Sequence, residues 1–369
     1  MGFLFLLVCY FNFMQKRIQE LDVLRVLAML FVVTYHFALQ YVAEGIPCFN
    51  LFCTTVNYDF GNIAVTLFIA LSGGLLYKKY GTIGFSEKGA FKEFYIKRFK
   101  TIYPPFWILS LYIPLTMIRH FMADGNAFFM GHLLKLLFTI VGFDGYVRQY
   151  GVDTYVFCGD WFVGAIVLLY LLFPLLAKCY HHRPYLTLST LAVLYSCQYL
   201  IPAEYDDVFG ALPVTLSLKF CVGFMLVENL ERLNDLRLVL VSAVVFVVLT
   251  FVDIPGRINT DCLGAVAAFA LFVIVFYIAP FLLRYKMIDL TVQKLATLSY
   301  CVFLVQHVGI VWAQMAFVKI FERMHWNFTE WNVMVLLGLT MGVILIASWI
   351  LKRISDAVVK FFSRFAQSP

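Results

Sequence analysis

Arg25 and His36 lie eleven residues apart within one apolar run, 17–41, that reads RIQELDVLRVLAMLFVVTYHFALQY. At about 100° per residue, eleven residues make about three helical turns, so both side chains fall on one helix face. Along the axis they are separated by roughly 16 Å. The arginine is near one mouth of the run and the histidine is past its middle. Ionisable groups are costly inside a membrane-length segment and mark a candidate functional site. Two on one face suggest a polar track through a bilayer, with an imidazole able to exchange protons near neutral pH. A second reading is also open: Arg25 snorkels to the headgroups with Asp22 as partner, and His36 is a satisfied polar residue near the other interface.

Further polar residues sit in or at the ends of other apolar runs. Lys219 is in the middle of LSLKFCVGFML and must pair, face water or lose its proton. His307 closes LSYCVFLVQH, with Ser299 and Tyr300 two turns before it. Asp160 and Trp161 open another run, where a tryptophan also serves as an ordinary interfacial anchor. For Lys219 and His307 a helix-packing hydrogen bond is the competing reading. Four ionisable groups in three segments are hard to explain by packing alone.

Such residues need a bilayer around them, and the composition supplies one. The chain is 62% hydrophobic and 14% charged, with mean hydropathy +0.86. A soluble domain carries about 25% charged residues. We expect an all-α polytopic membrane protein, and the net charge of +6 calls for no nucleic-acid partner. Runs of about 20 apolar residues predict ten spans, roughly 21–43, 59–77, 103–122, 160–180, 185–202, 210–228, 236–253, 261–283, 295–320 and 331–351. The stretch 128–142 is too short and broken to span. With both termini cytoplasmic, twenty of the 28 Lys and Arg residues fall inside, six fall outside, and Arg25 and Lys219 lie within spans. That asymmetry favours this orientation.

The organisation expected is an apolar juxtamembrane segment over 1–20, a transmembrane domain over 21–351 and a basic cytoplasmic tail over 352–369. The stretch 1–14 has no basic residue ahead of its apolar run, so it makes a poor signal peptide. It reads as an interfacial flap or as sequence upstream of a start at Met14.

The loop after the second span is the most basic, and Lys97, Arg98 and Lys100 crowd into FYIKRFKTIYPPFW. Topology and lipid headgroups explain most of this charge. A polyanion site is the sharper reading, if Pro104 and Pro105 open the next helix and its N-terminus favours anions. Nine cysteines include no CxxC pair, and a disulfide between Cys48 and Cys53 is a minor option. No metal-ligand spacing, phosphate-binding loop or nucleophile elbow occurs.

In order along the chain, these elements resemble the integral-membrane acyltransferase-3 family, which O-acylates surface glycans. LDVLRVLAMLFVVTYH is similar to its Arg-x10-His signature, at Arg25 and His36. VTLFIALSGGLLY is similar to its Phe-x-x-Ser-Gly element, over 68–73. FYIKRFKTIYPPFW resembles its R-x-x-R-I-Y-P element, although Thr101 stands at the second arginine. DWFVGAIVLLYLLFPLL resembles its acidic-Trp-Phe element, 219–223 its basic-Phe-x-x-Gly position, and LSYCVFLVQH its Leu-Ser-Tyr…His element.

The resemblance implies transfer of an acyl group, usually acetyl, from cytoplasmic acetyl-CoA or another acyl-CoA to a sugar hydroxyl of a surface polysaccharide or glycolipid, in the cell (inner) membrane and without a metal. His36 would be the general base, directly or through an acyl-histidine, with Arg25 holding the pantetheine entrance. Arg98, Lys97 and Lys100 would hold the CoA phosphates, and Asp160 and Trp161 the sugar. Ser72, Lys219, Tyr300 and His307 are candidates for lining residues or acceptor contacts. Membrane lipids are the other expected partners. A proton-coupled transporter or glycan exporter, using the same His and Lys residues as a relay, is the alternative function class, and a non-catalytic scaffold is the third.

Overall fold

The structure is a computed structural model and describes residues 17–49, 53–81, 89–126, 128, 132–155, 161–201, 208–255 and 260–365. The stretch 1–14 and Asp160 lie outside them. The described residues form helices and no strand. In chain order these are α1 (Gln19–Ala43), α2 (Phe60–Leu76), α3 (Ala90–Ser110), α4 (Tyr112–Asp124), α5 (Leu136–Val141), α6 (Asp144–Arg148) and α7 (Trp161–His182). Then follow α8 (Pro184–Cys197), α9 (Pro213–Glu228), α10 (Leu236–Phe251), α11 (Thr260–Leu283), α12 (Lys286–Arg323) and α13 (Glu330–Phe365).

Every predicted span has a helix. Seven helical stretches among the described residues are long and apolar enough to cross a membrane: Gln19–Ala43, Phe60–Gly81, Ala90–Asp124, Trp161–His182, Thr260–Leu283, Lys286–Arg323 and Glu330–Arg364. The helices at the other three, α8, α9 and α10, have 14, 16 and 16 residues. At about 1.5 Å per residue they rise only about 21–24 Å, short of a roughly 30 Å hydrocarbon core.

One local expectation is corrected. Pro104 and Pro105 do not begin a helix. They lie inside α3, which starts fourteen residues earlier at Ala90 after Gly89 in the left-handed region. The run FKEFYIKRFKTIY holds the helix up to the prolines, and helix resumes beyond the break at Leu111 as α4. Buried surroundings let membrane helices keep such prolines. Lys97, Arg98 and Lys100 therefore project from the body of a helix, and no helix N-terminus backs them. Residues 352–365 continue α13 as helix. Cys48 and Cys53 are free thiols.

α1 and α2 pack on each other at the centre. α9 and α11 lie against α2, α12 against α1, and α13 against both α12 and α3. The α2–α9 contact is made backbone to backbone. A Cβ at Gly73 would overlap the Phe220 carbonyl, and one at Gly223 would overlap the Ala70 main chain. Lipid tails supply no hydrophobic drive for helix association, so close dispersion contact through small residues has to provide it. Gly223→Ala is therefore expected to cost about 1–3 kcal/mol, an overpacking cost. Gly338→Ala, whose Cβ would meet open space, should be neutral. Thermal unfolding of the detergent-solubilised protein checks the contrast, and equal melting temperatures for the two variants would refute it.

Candidate active site

α1 is one uninterrupted helix, so Arg25 and His36 do share its face. Arg25 Nη1 lies 3.2 Å from Asp22 Oδ1, and the same buried carboxylate also pairs with Arg17. The snorkelling partner expected for Arg25 is thus present. Arg25 nevertheless also lines a cavity.

That cavity has a volume of about 460 Å³ and is walled by α1, α2, α3, α7, α12 and α13. Its size suits a small-molecule site. At its basic end are Arg25, Arg98 and Lys352, and along its walls Ser72, Thr101, Tyr170, Ser299 and Tyr300. Arg98 is held between two rings, its guanidinium carbon 5.9 Å from the Phe94 centroid and 5.7 Å from the Tyr170 centroid. Its Nε is buried without a hydrogen-bond partner, which leaves it ready for an anion. Ser72 Oγ and the Tyr170 hydroxyl are 2.8 Å apart, and the Tyr300 hydroxyl donates to the Ile102 carbonyl at 3.0 Å. A second cavity of about 330 Å³ between α3 and α7 meets the first at Arg98, Ile102 and Tyr170.

Three phenyl rings belong to the far end of the main cavity. The Phe68 and Phe162 centroids are 6.0 Å apart, and those of Phe162 and Phe303 are 4.7 Å apart. His307 is one turn beyond Phe303, about 6 Å further along α12. Its ring centroid lies 4.1 Å from that of His36, with the planes 58° apart. The two imidazoles face each other across the α1–α12 seam, and neither is part of the cavity wall.

The remaining candidates separate from this group. Lys97 is exposed on α3 and paired with Glu93. Lys100 Nζ reaches Ser363 Oγ of α13 at 3.3 Å, so the C-terminal end of α13 runs beside the basic cluster. Trp161 begins α7 with its ring 6.3 Å from Phe162 but does not line the cavity. Lys219 is buried and bridges to Asp261 at 2.5 Å, in a cluster where Asn62 and the Tyr195 hydroxyl also approach Asp261. Nearby, Asp59 caps α2 by accepting the Asn62 N–H at 2.7 Å.

Over residues 18–353 the chain matches the family model of an acyltransferase domain. The chain belongs to the acyltransferase-3 family. No curated protein and no solved structure shows a significant match to it. In this acyltransferase the family-like elements divide by task. Gly73 and Gly223 let helices touch, and Lys219 is engaged in a buried ion pair. Arg25, Ser72, Arg98, Ser299 and Tyr300 share a cavity, and His36 and His307 pair above it. Lys352 escaped the sequence reading because it opens what looked like a basic tail. Its only signal there was a charge at the end of an apolar run.

Proposed function

We propose that this membrane acyltransferase moves an acyl group, acetyl foremost, from cytoplasmic acyl-CoA to a sugar hydroxyl at the outer side of the cell membrane. The observation that carries this reading is the single cavity that joins three cations at one end to an aromatic layer lying one helical turn short of a histidine pair. Several cations against several phosphates bind additively, and charge-assisted contacts are the strong ones. Arg98 and Lys352 hold the phosphates, while Arg25, fixed by Asp22, flanks the entrance. The thin pantetheine arm threads the cavity, and the Phe68, Phe162 and Phe303 side chains turn aside to let the thioester past.

At the histidine pair the hydroxyl oxygen attacks the thioester carbonyl carbon and the carbon–sulfur bond breaks. The hydroxyl proton passes to His36, and from there to the departing thiolate. An imidazole suits this role because its proton affinity matches neutral pH. An acyl-histidine intermediate would divide the same transfer into two steps. A transporter would use the same imidazoles without breaking the thioester.

Thiol release from acetyl-CoA by the purified protein tests the reading. Arg98→Ala is expected to raise the apparent KM for acetyl-CoA at least tenfold, and Lys352→Ala to raise it about fivefold, for one lost charge-assisted contact each. kcat should move less than KM. No thiol release by the wild-type protein would favour the transporter class.

A further inference from the structure

On the other side of the histidine pair from the phenyl layer, the seam between α1, α12 and α13 carries amides and hydroxyls. Gln40 Nε2 donates to Gln314 Oε1 at 3.0 Å. Gln40 is one turn beyond His36 and Gln314 two turns beyond His307. The second Nε2, that of Gln314, is buried without a partner. Gln306, next to His307, is 0% exposed, and both its amide nitrogen and its amide oxygen lack a partner. The Tyr41 and Thr340 hydroxyls adjoin in the same seam, on residues with no exposed surface. None of these side chains is charged.

Unmade hydrogen bonds on a buried amide cost about 1–3 kcal/mol for each group left unsatisfied, and such groups in a native protein call for an explanation. Here they run along α12 from Gln306, beside His307, to Gln314, about 12 Å further on. From this we infer that Gln306, Gln314 and Gln40 form the acceptor subsite, which takes the hydroxyls of a neutral sugar and delivers one of them to the His36–His307 pair. A primary amide donates and accepts at once, as neighbouring hydroxyls do. A chain of amides and hydroxyls without charge therefore matches a polyol better than it matches an acidic or basic group. The inference rests on the acyltransferase reading proposed above and extends it to the acceptor.

The test uses purified full-length protein in nanodiscs, labelled acetyl-CoA, and unacylated surface polysaccharide from cells lacking the gene. For Gln314→Ala and Gln306→Leu the apparent KM for the polysaccharide should rise about tenfold, the equivalent of one lost hydrogen bond of about 1.4 kcal/mol. The apparent KM for acetyl-CoA should shift less than twofold. Gln306→Leu should also melt at or above the wild-type temperature, because it removes an unsatisfied amide. If an internal water alone satisfies Gln306, the leucine variant melts lower with both KM values intact, and the inference falls. It falls equally if the two KM values rise together, which marks a structural role. If the wild type cleaves acetyl-CoA in water but acylates no polysaccharide, the acceptor class is wrong while the donor chemistry stands. If it cleaves nothing, the acyltransferase reading fails first.

Discussion

His36→Ala is expected to lower acyl transfer by a factor of about 10²–10⁴, the range for loss of a general base. The expectation follows from position. His36 is one of two imidazoles whose rings are 4.1 Å apart, and the phenyl layer that ends the cation-lined cavity stands one turn below them. Removing His36 leaves the cavity, its cations and the acceptor seam in place, so the effect should fall on kcat, with KM for acetyl-CoA little changed. His307→Ala should cost less, since its ring acts beside the base. His36→Gln, which can hydrogen-bond but cannot take the proton, should be nearly as inactive as alanine. An acyl-histidine route would add a second signature: labelled acyl group trapped on wild-type protein after a brief pulse of donor, absent from His36→Ala. Activity within tenfold of wild type for His36→Ala would remove the imidazole from the mechanism.

The second large effect concerns stability. Lys219 and Asp261 are both buried and lie 2.5 Å apart. Replacing either one strands the other charge away from water, and breaking such a pair costs about 3–5 kcal/mol. Lys219→Met and Asp261→Leu should each sharply lower the melting temperature in detergent. The double variant should recover most of the loss, because paired removal also removes both desolvation penalties. Asn62 and Tyr195 would then lose an acceptor, which limits the recovery. A double variant no more stable than the singles would contradict this account. Its activity decides a separate matter: full acyl transfer would make Lys219 a structural residue, and a lost acceptor response would return it to the sugar site.

The two cases show where sequence reading succeeds. Arg25 and His36 could be placed on one face because helix periodicity is local, and nothing in α1 interrupts it. Lys97, Arg98 and Lys100 were recognisable as a basic cluster, yet only Arg98 lines the cavity. Successive helical positions point about 100° apart, so a cluster in sequence is not a cluster in space. The prolines misled for a related reason. Pro104 and Pro105 can open a helix in isolation, but the preceding thirteen residues already form turns that membrane packing sustains through them. His36 and His307 were each legible as ionisable groups in spans, whereas their pairing was not.

Residue order and composition set the solvent and the secondary structure. Apolar runs of membrane length require helices, because every backbone polar group must be satisfied within its own segment, and the ordered motifs marked the family. Tertiary structure alone decided which polar side chains meet. His36 faces His307, Lys219 faces Asp261, and Lys352 joins Arg25 and Arg98, in each case across helices distant in the chain. Those pairings depend on how closely α2 and α9 approach through their glycines and on how α12 and α13 lie against α1 and α3. Such distances are set by side-chain packing between helices, which no periodicity along one helix encodes.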